Sequence, residues 1–158
     1  MNRIDKNILD ILQVDGRISN QELADRVALS PSPCLRRVKQ LEDDGYIRQY
    51  VALVNPNKIG LQLTIMVAVS LTSHDAIKMK AFEDAVAAIP EVMQCYLITG
   101  QTADYLLKVM VSNLDEYQIF LLKKLTIIEG VNQVQSSFVL QRIIDKTALP
   151  MDHLNGSL

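Results

Sequence analysis

The chain has 158 residues, a net charge of −2 and a sequence pI near 5.6. That length holds one modest core or two small ones, and the near-balanced charge excludes a general electrostatic attraction to nucleic acid. Cys34 and Cys95 lie far apart with no C-x-x-C spacing, and neither His74 nor His153 has a neighbour at metal-ligand spacing, so no disulfide framework, metal centre or catalytic cluster is expected. No apolar run reaches membrane-spanning length, and the opening MNRIDKNILD has no signal-peptide core. The expectation is a cytoplasmic chain with reduced thiols, no membrane partner and no enzyme activity.

The first predicted helix has Asp5 as its cap, Ile4, Ile8, Ile11 and Leu12 at helical spacing, and Gly16 as its end. Ser19 and Glu22 then form an S-x-x-E capping box, and Leu23, Ala24 and Val27 give the second helix one apolar side. Leu29-Ser30 breaks that pattern. Ser30 caps a third helix with Pro31 at its first position, unless the restriction that Pro33 places on Ser32 makes Ser32 the cap.

On a helical wheel of the third helix, Leu35, Val38 and Leu41 form the inward side, with Cys34 at its edge. Ser32, Pro33, Arg36, Arg37 and Gln40 fall opposite, with Lys39 at the flank. Residues 30–41 contain three cations and no acid. Small hydroxyls, guanidinium forks and an amide are groups that bind phosphates and read base edges in a major groove. Two helices joined by a tight turn, the second basic outside, describe a helix-turn-helix, against the plainer reading of a solvated surface helix. The predicted DNA-binding set is Ser30, Ser32, Pro33, Arg36, Arg37, Lys39, Gln40 and Arg48.

Residues 1–54 hold eight Lys/Arg and eight Asp/Glu, and residues 55–158 hold eight and ten. The DNA-binding part is therefore neutral. A single copy should bind weakly, because phosphate neutralisation supplies most non-specific affinity, and linked copies are required.

Gly45 stops the third helix, and the run IRQYVALV from Ile47 to Val54 predicts a strand of a wing. Asn55-Pro56-Asn57 and Gly60 mark a linker. Beyond it, strands are expected at Leu63–Leu71, Val92–Thr99, Asp104–Val111 and Val131–Leu140. Helices are expected from Ser73 to Ile89 and from Asn113 to Gly130. Leu114, Tyr117, Leu121 and Leu125 form the apolar stripe of the second of these, and the tail from Asp145 should be loosely held. The order βαββαβ is the ferredoxin-like arrangement. Two helices cover one sheet face. The other is left bare, carrying Met93, Cys95 and Leu97 or their alternates, and a bare apolar face of that size should pair with a second copy.

The fold class is thus α+β: an N-terminal winged helix-turn-helix (1–55), a linker (56–62), a ferredoxin-like domain (63–144) and a tail (145–158). Base stacking by the sheet, as in RNA-recognition domains, is disfavoured because the central strands offer only Tyr96 and Tyr105.

This combination resembles the leucine-responsive regulator (Lrp/AsnC) family over nearly the whole chain. The resemblance rests on IDKNILDILQVDGRISNQELADRVALSPSPCLRRVKQLEDDGYI at 4–47, YVALVNPNKIG at 50–60, GQTADYLLKV at 100–109 and GVNQVQSSFVL at 130–140. It implies a transcription regulator that binds double-stranded DNA, assembles into a dimer or octamer through its C-terminal domain, and responds to an amino-acid effector such as leucine, methionine or another small amino acid, with no other cofactor.

By position, the resemblance implies a ligand loop at Thr99, Gly100, Gln101, Thr102 and Asp104, with Ser136 and Ser137 from the last strand of a neighbour. The family loop reads G-x-x-D-Y, whereas 100–105 contains one more residue. From the residues alone, Asp104 either pairs an α-ammonium or caps a hairpin, and Gly100 either opens an anion-binding nest or only turns the chain. An amino-acid-binding regulatory subunit of a metabolic enzyme is the alternative function.

Overall fold

The computed structural model describes residues 2–100 and 102–156. The chain forms two compact units, one running up to Leu53 and taken up again from Ile143, the other Val54–Arg142.

The first unit holds α1 (Arg3–Val14), α2 (Asn20–Arg26) and α3 (Pro31–Asp43). The cap of α1 is Asn2 and not Asp5. Asn2 Oδ1 accepts from the Asp5 N–H at 2.9 Å and Asp5 accepts from the Asn2 N–H at 3.0 Å. A reciprocal box satisfies two orphan donors where a lone Asp5 cap would satisfy one. Ser19 and Glu22 form the expected box on α2. Ser30 takes the N-cap conformation of α3 (φ −76°, ψ 156°), but its hydroxyl makes no capping bond. Pro33 explains this: it stands where the third helical residue would offer its N–H.

Ile8, Ala24 and Cys34 are fully buried, and Leu9, Leu23, Val27 and Leu41 nearly so. Each of the three helices therefore contributes a stripe to one small core. Between α2 and α3 the chain reverses at Ala28, a non-glycine residue in the left-handed region at φ 56°. That backbone lets the Leu29 N–H reach the Ala24 carbonyl at 2.9 Å.

Beyond α3 the expected wing strand is absent. Residues 48–55 form no regular element and join no ladder, because a strand persists only with a backbone partner and the described residues of this chain supply none there. Tyr50 anchors the start of the segment: its hydroxyl donates to Glu42 at 2.9 Å, and burial, helped by that carboxylate, pushes its pKa up to about 12. The tail also departs from expectation. Gln13 donates to the Leu149 carbonyl and accepts from the Leu149 N–H at 2.7 Å, and Met151 packs on the helical core. The tail is pinned to the first unit, not loosely held.

The second unit opens with a 3₁₀ turn, Pro56–Ile59, closed by Gly60 at φ 83°. Then follow β1 (Leu63–Leu71), α4 (Ala76–Ala87), β2 (Val92–Leu97), β3 (Tyr105–Val111), α5 (Leu114–Phe120, continued by a wider turn at Leu121–Leu125) and β4 (Val131–Phe138). The antiparallel sheet has the order β2-β3-β1-β4. This is the expected βαββαβ topology.

Alternation in β1 and β3 sends Ile65, Val67, Val69, Leu71, Tyr105, Leu107, Val109 and Val111 to the helix side, where they meet Phe82, Val86, Tyr117, Phe120 and Leu125. The Phe82 and Tyr105 rings lie 4.7 Å apart. Each buried side chain of this size contributes roughly 1.5–3 kcal/mol of burial free energy, so Phe82→Ala alone should cost about 3–5 kcal/mol.

Two helix expectations change. Asp75 caps α4, accepting from the Lys78 N–H at 2.9 Å, while Ser73 donates to Asp75 at 2.6 Å. In α5, Leu114 is exposed and Phe120 takes the buried place assigned to it.

The register decides which of the two alternating sets lies on the bare face. Cys95 pairs with Leu107 and Leu97 with Tyr105, so both lie on the helix side. The open side carries their alternates Gln94 and Tyr96, with Thr64, Met66, Ala68 and Ser70 from β1, Leu106, Lys108 and Met110 from β3, and Gln133, Gln135 and Ser137 from β4. It is a mixed surface, not a continuous apolar one.

Candidate functional site

The outward side of α3 is rotated from the sequence reading. Cys34 and Leu41 are buried and Val38 half-buried, while Leu35 is 58% exposed. The inward meridian therefore runs through Cys34, not Leu35. Arg37 turns inward with it. Its Nη1 lies 2.8 Å from Asp5 Oδ1 on α1, so this guanidinium, unlike that of Arg36, is paired within the unit. Two turns of wheel geometry place a residue only to within a rotation, and the packing of α1 against α3 decided this one.

What remains outside is Ser32, Leu35, Arg36, Lys39 and Gln40. Among the described residues Arg36 and Lys39 have no acidic partner within salt-bridge reach. Gln40 donates to Asp44 at 2.8 Å, so its amide N–H is engaged within the helix. Pro33 is half-buried and Ser30 exposed. With Pro31 and Pro33 lacking N–H groups, the free donors at the start of α3 are the Ser30 and Ser32 hydroxyls and the Ser32 amide. Asn20 on α2 ties the helix pair together, its side-chain N–H₂ donating to the Pro31 carbonyl at 2.9 Å. Arg48 is exposed on the irregular segment beyond α3. Arg36, Lys39 and the Ser30 and Ser32 hydroxyls are all exposed to solvent, and groups of these kinds are able to bind phosphates.

In the second unit the loop between β2 and β3 carries Thr99, Gly100 at φ 83°, Thr102 and Asp104; Gln101 lies outside the described residues. Both carboxylate oxygens of Asp104 are committed internally. Oδ2 accepts from the Leu71 N–H at 2.7 Å, and Oδ1 lies 2.7 Å from His74 Nε2. The Leu71 amide first, and the His74 imidazole after it, hold this carboxyl below its ordinary pKa. The Asp104 N–H donates to the Val69 carbonyl at 2.9 Å. These contacts staple the loop to the end of β1.

Ser136 and Ser137 diverge. Ser136 faces the helices and hydrogen-bonds Tyr117, while Ser137 lies on the open side. Successive strand residues point to opposite faces, so the two cannot line one pocket of this chain.

A depression of about 330 Å³ lies on the open side beside the loop, lined by Ala68, Ser70, Thr102, Ala103, Gln133, Val134 and Gln135. Its size falls at the lower end of small-molecule sites, roughly 300–1,000 Å³. The Ser70 Oγ is buried and has no hydrogen-bond partner among the described residues, which costs about 1–3 kcal/mol unless something satisfies it. Sequence reasoning placed only Thr102 here. Ala68 and Ser70 were legible as alternates on β1, and Gln133 and Gln135 as alternates on β4. Only the β1–β4 register brings the two pairs together, with Ala68 opposite Gln135 and Ser70 opposite Gln133. Among the described residues no group of three or more His, Cys, Asp or Glu could hold a metal ion, and no helix is long and apolar enough to cross a membrane.

Comparison with known proteins bears on both units. Residues 1–48 match a winged helix-turn-helix DNA-binding family, and residues 64–149 match the Lrp/AsnC ligand binding domain. The leucine-responsive regulatory protein of Escherichia coli strain K12 is 41% identical over 143 residues, spanning 90% of this chain and 87% of that protein. A transcriptional regulator from Neisseria meningitidis, solved in complex with L-Met, superposes with a TM-score of 0.93 at 44% identity, over 98% of this chain and 99% of the other. An AsnC family transcriptional regulator from Agrobacterium tumefaciens superposes with a TM-score of 0.92 at 38% identity, with coverage of 98% and 99%. With a DNA-binding helix-turn-helix at one end, a ligand-binding ferredoxin-like fold at the other, and relatives that are regulators and not enzymes, the chain belongs to the Lrp/AsnC family of transcription regulators.

Proposed function

We propose that this regulator reads operators with the exposed face of α3 and is modulated by a small amino acid held in the depression beside the β2–β3 loop. The observation that carries the effector reading is the buried, unpartnered Ser70 hydroxyl in that depression. It offers a donor for an α-carboxylate, and the Gln133 and Gln135 amides offer both donors and acceptors. Asp104 is fully engaged, so an α-ammonium would be met by amide or backbone oxygens, or by a second copy. L-Methionine is the first effector to test, because the Neisseria regulator was solved with it. Leucine is the second, from the name of the Escherichia coli relative.

Ser30 and Ser32 would grip phosphate at the helix start, and Arg36 and Lys39 would reach further along the groove. The N-terminal unit carries little net charge, so at least a dimer is needed, binding two half-sites about one helical turn apart. The mixed open face of the sheet is the surface through which copies would pair, and an octamer is the larger assembly to look for.

Thermal shift against the twenty amino acids tests the effector reading. A ligand at a hundredfold excess over its Kd should add about 2.7 kcal/mol. Ser70→Val removes the donor and puts a methyl group in its place, so it should abolish the shift. No stabilisation by any amino acid would end the proposal. Sedimentation showing a monomer at micromolar concentration would end the assembly reading.

A further inference from the structure

We propose that Leu35 is a specificity-determining residue that reads thymine through its 5-methyl group. The inference rests on the reading of α3 as the DNA-reading helix. Leu35 is 58% exposed, on the same side of α3 as Ser32 and Lys39, one turn before and one turn after it, and next to Arg36. The inward side of the helix is already filled by Cys34, Val38 and Leu41, so Leu35 adds nothing to the core. It stands among donors that bind phosphates and purine edges, but it has no donor or acceptor of its own.

The major groove offers one apolar group on a base edge, the thymine methyl. A cytosine at the same place would present an amino group that leucine cannot accept from, and its desolvation would go uncompensated. An aliphatic side chain held on the groove side between Arg36 and Lys39 therefore favours thymine over cytosine, and over uracil, which differs from thymine only by the missing methyl.

The experiment starts from duplexes selected out of random sequence by the full-length wild-type protein. Each thymine is replaced in turn by deoxyuridine, and affinity is measured by fluorescence anisotropy at one salt concentration. The expected result is one thymine per half-site at which the replacement weakens wild-type binding about fourfold, the equivalent of burying one methyl group. Leu35→Ala should bind thymine and deoxyuridine duplexes alike, Leu35→Met should keep the difference, and Arg36→Ala should lose affinity yet keep it. The exposed position predicts unchanged thermal unfolding for both Leu35 variants. Wild-type binding that ignores every methyl removal, or a Leu35→Ala protein that still distinguishes the two bases, overturns the role of Leu35 alone. If Arg36→Ala also binds as wild type does, the reading of α3 as the DNA-contacting helix falls with it.

Discussion

Arg37 on α3 places its guanidinium 2.8 Å from the Asp5 carboxylate on α1. Asp5 is also the second half of the α1 capping box, so one side chain fixes the start of α1 and its angle to α3. The neighbouring Arg36 has no such partner. Two adjacent arginines that look alike in sequence therefore have separable consequences. Arg37→Ala should lower stability to urea by about 1–2 kcal/mol, as expected for losing a half-buried charge-assisted hydrogen bond. Arg36→Ala should leave the urea midpoint unchanged and weaken DNA binding. If the two variants behave alike in both assays, the pairing seen here does not persist in solution.

The Asp104 staple carries a pH signature. Its carboxyl is held below the ordinary range by the Leu71 amide and by His74. A group whose folded pKa is depressed contributes stability above its unfolded value, and that contribution is lost as pH falls toward the folded value. Wild-type stability should therefore drop on acidification through the carboxylate range, and Asp104→Asn should start lower and show a shallower acid limb. Asparagine keeps an acceptor for Leu71 but not the charge, so the cost at neutral pH should be about 1–2 kcal/mol. Parallel acid limbs for the two proteins would remove Asp104 from the account.

Ala28 occupies the left-handed region at φ 56° in the turn between α2 and α3. An L side chain there costs about 1–2 kcal/mol relative to the right-handed region, whereas glycine has no such penalty. Part of the gain is offset by the greater freedom of glycine in the unfolded chain. Ala28→Gly should thus raise stability by up to about 1 kcal/mol, read as a higher unfolding midpoint. Ala28→Val should lower it, because β-branching aggravates the same clash.

The pinned tail yields a fourth outcome. Gln13→Ala removes both hydrogen bonds to Leu149 and should release the segment that carries Met151 onto the helical core. Amide hydrogen exchange should show faster exchange at Leu149 and a loss of about 1 kcal/mol in the first unit. Unchanged exchange at Leu149 would mean that Met151 packing holds the tail by itself.

Much of this was legible without coordinates. The S-x-x-E box, the proline-led third helix and the alternation in Leu63–Leu71 each encode a local backbone choice, and each appears as expected. Failures cluster where a residue's role depends on its neighbours in space. Leu35 and Arg37 exchanged sides because the helical period fixes relative angles, while the buried direction is set by whatever helix packs alongside. Asp104 read equally well as ligand partner or hairpin residue, and the partners it takes in the fold, the amide of Leu71 and the imidazole of His74, lie thirty residues or more away in the chain.

The sequence by itself determined the βαββαβ order of the second unit, the helix caps at Ser19 and Asn113, and most but not all of the two cores, because capping, turn chemistry and hydrophobic period act over a few residues. Tertiary structure alone decided which arginine is paired within its unit, that Ile47–Val54 forms no strand, that the tail returns to Gln13, and that Ser70 meets Gln133 across β1 and β4. Each of these depends on a hydrogen bond or contact between segments distant in the chain. Such pairings are selected by the packing of the whole unit, and no local preference encodes them.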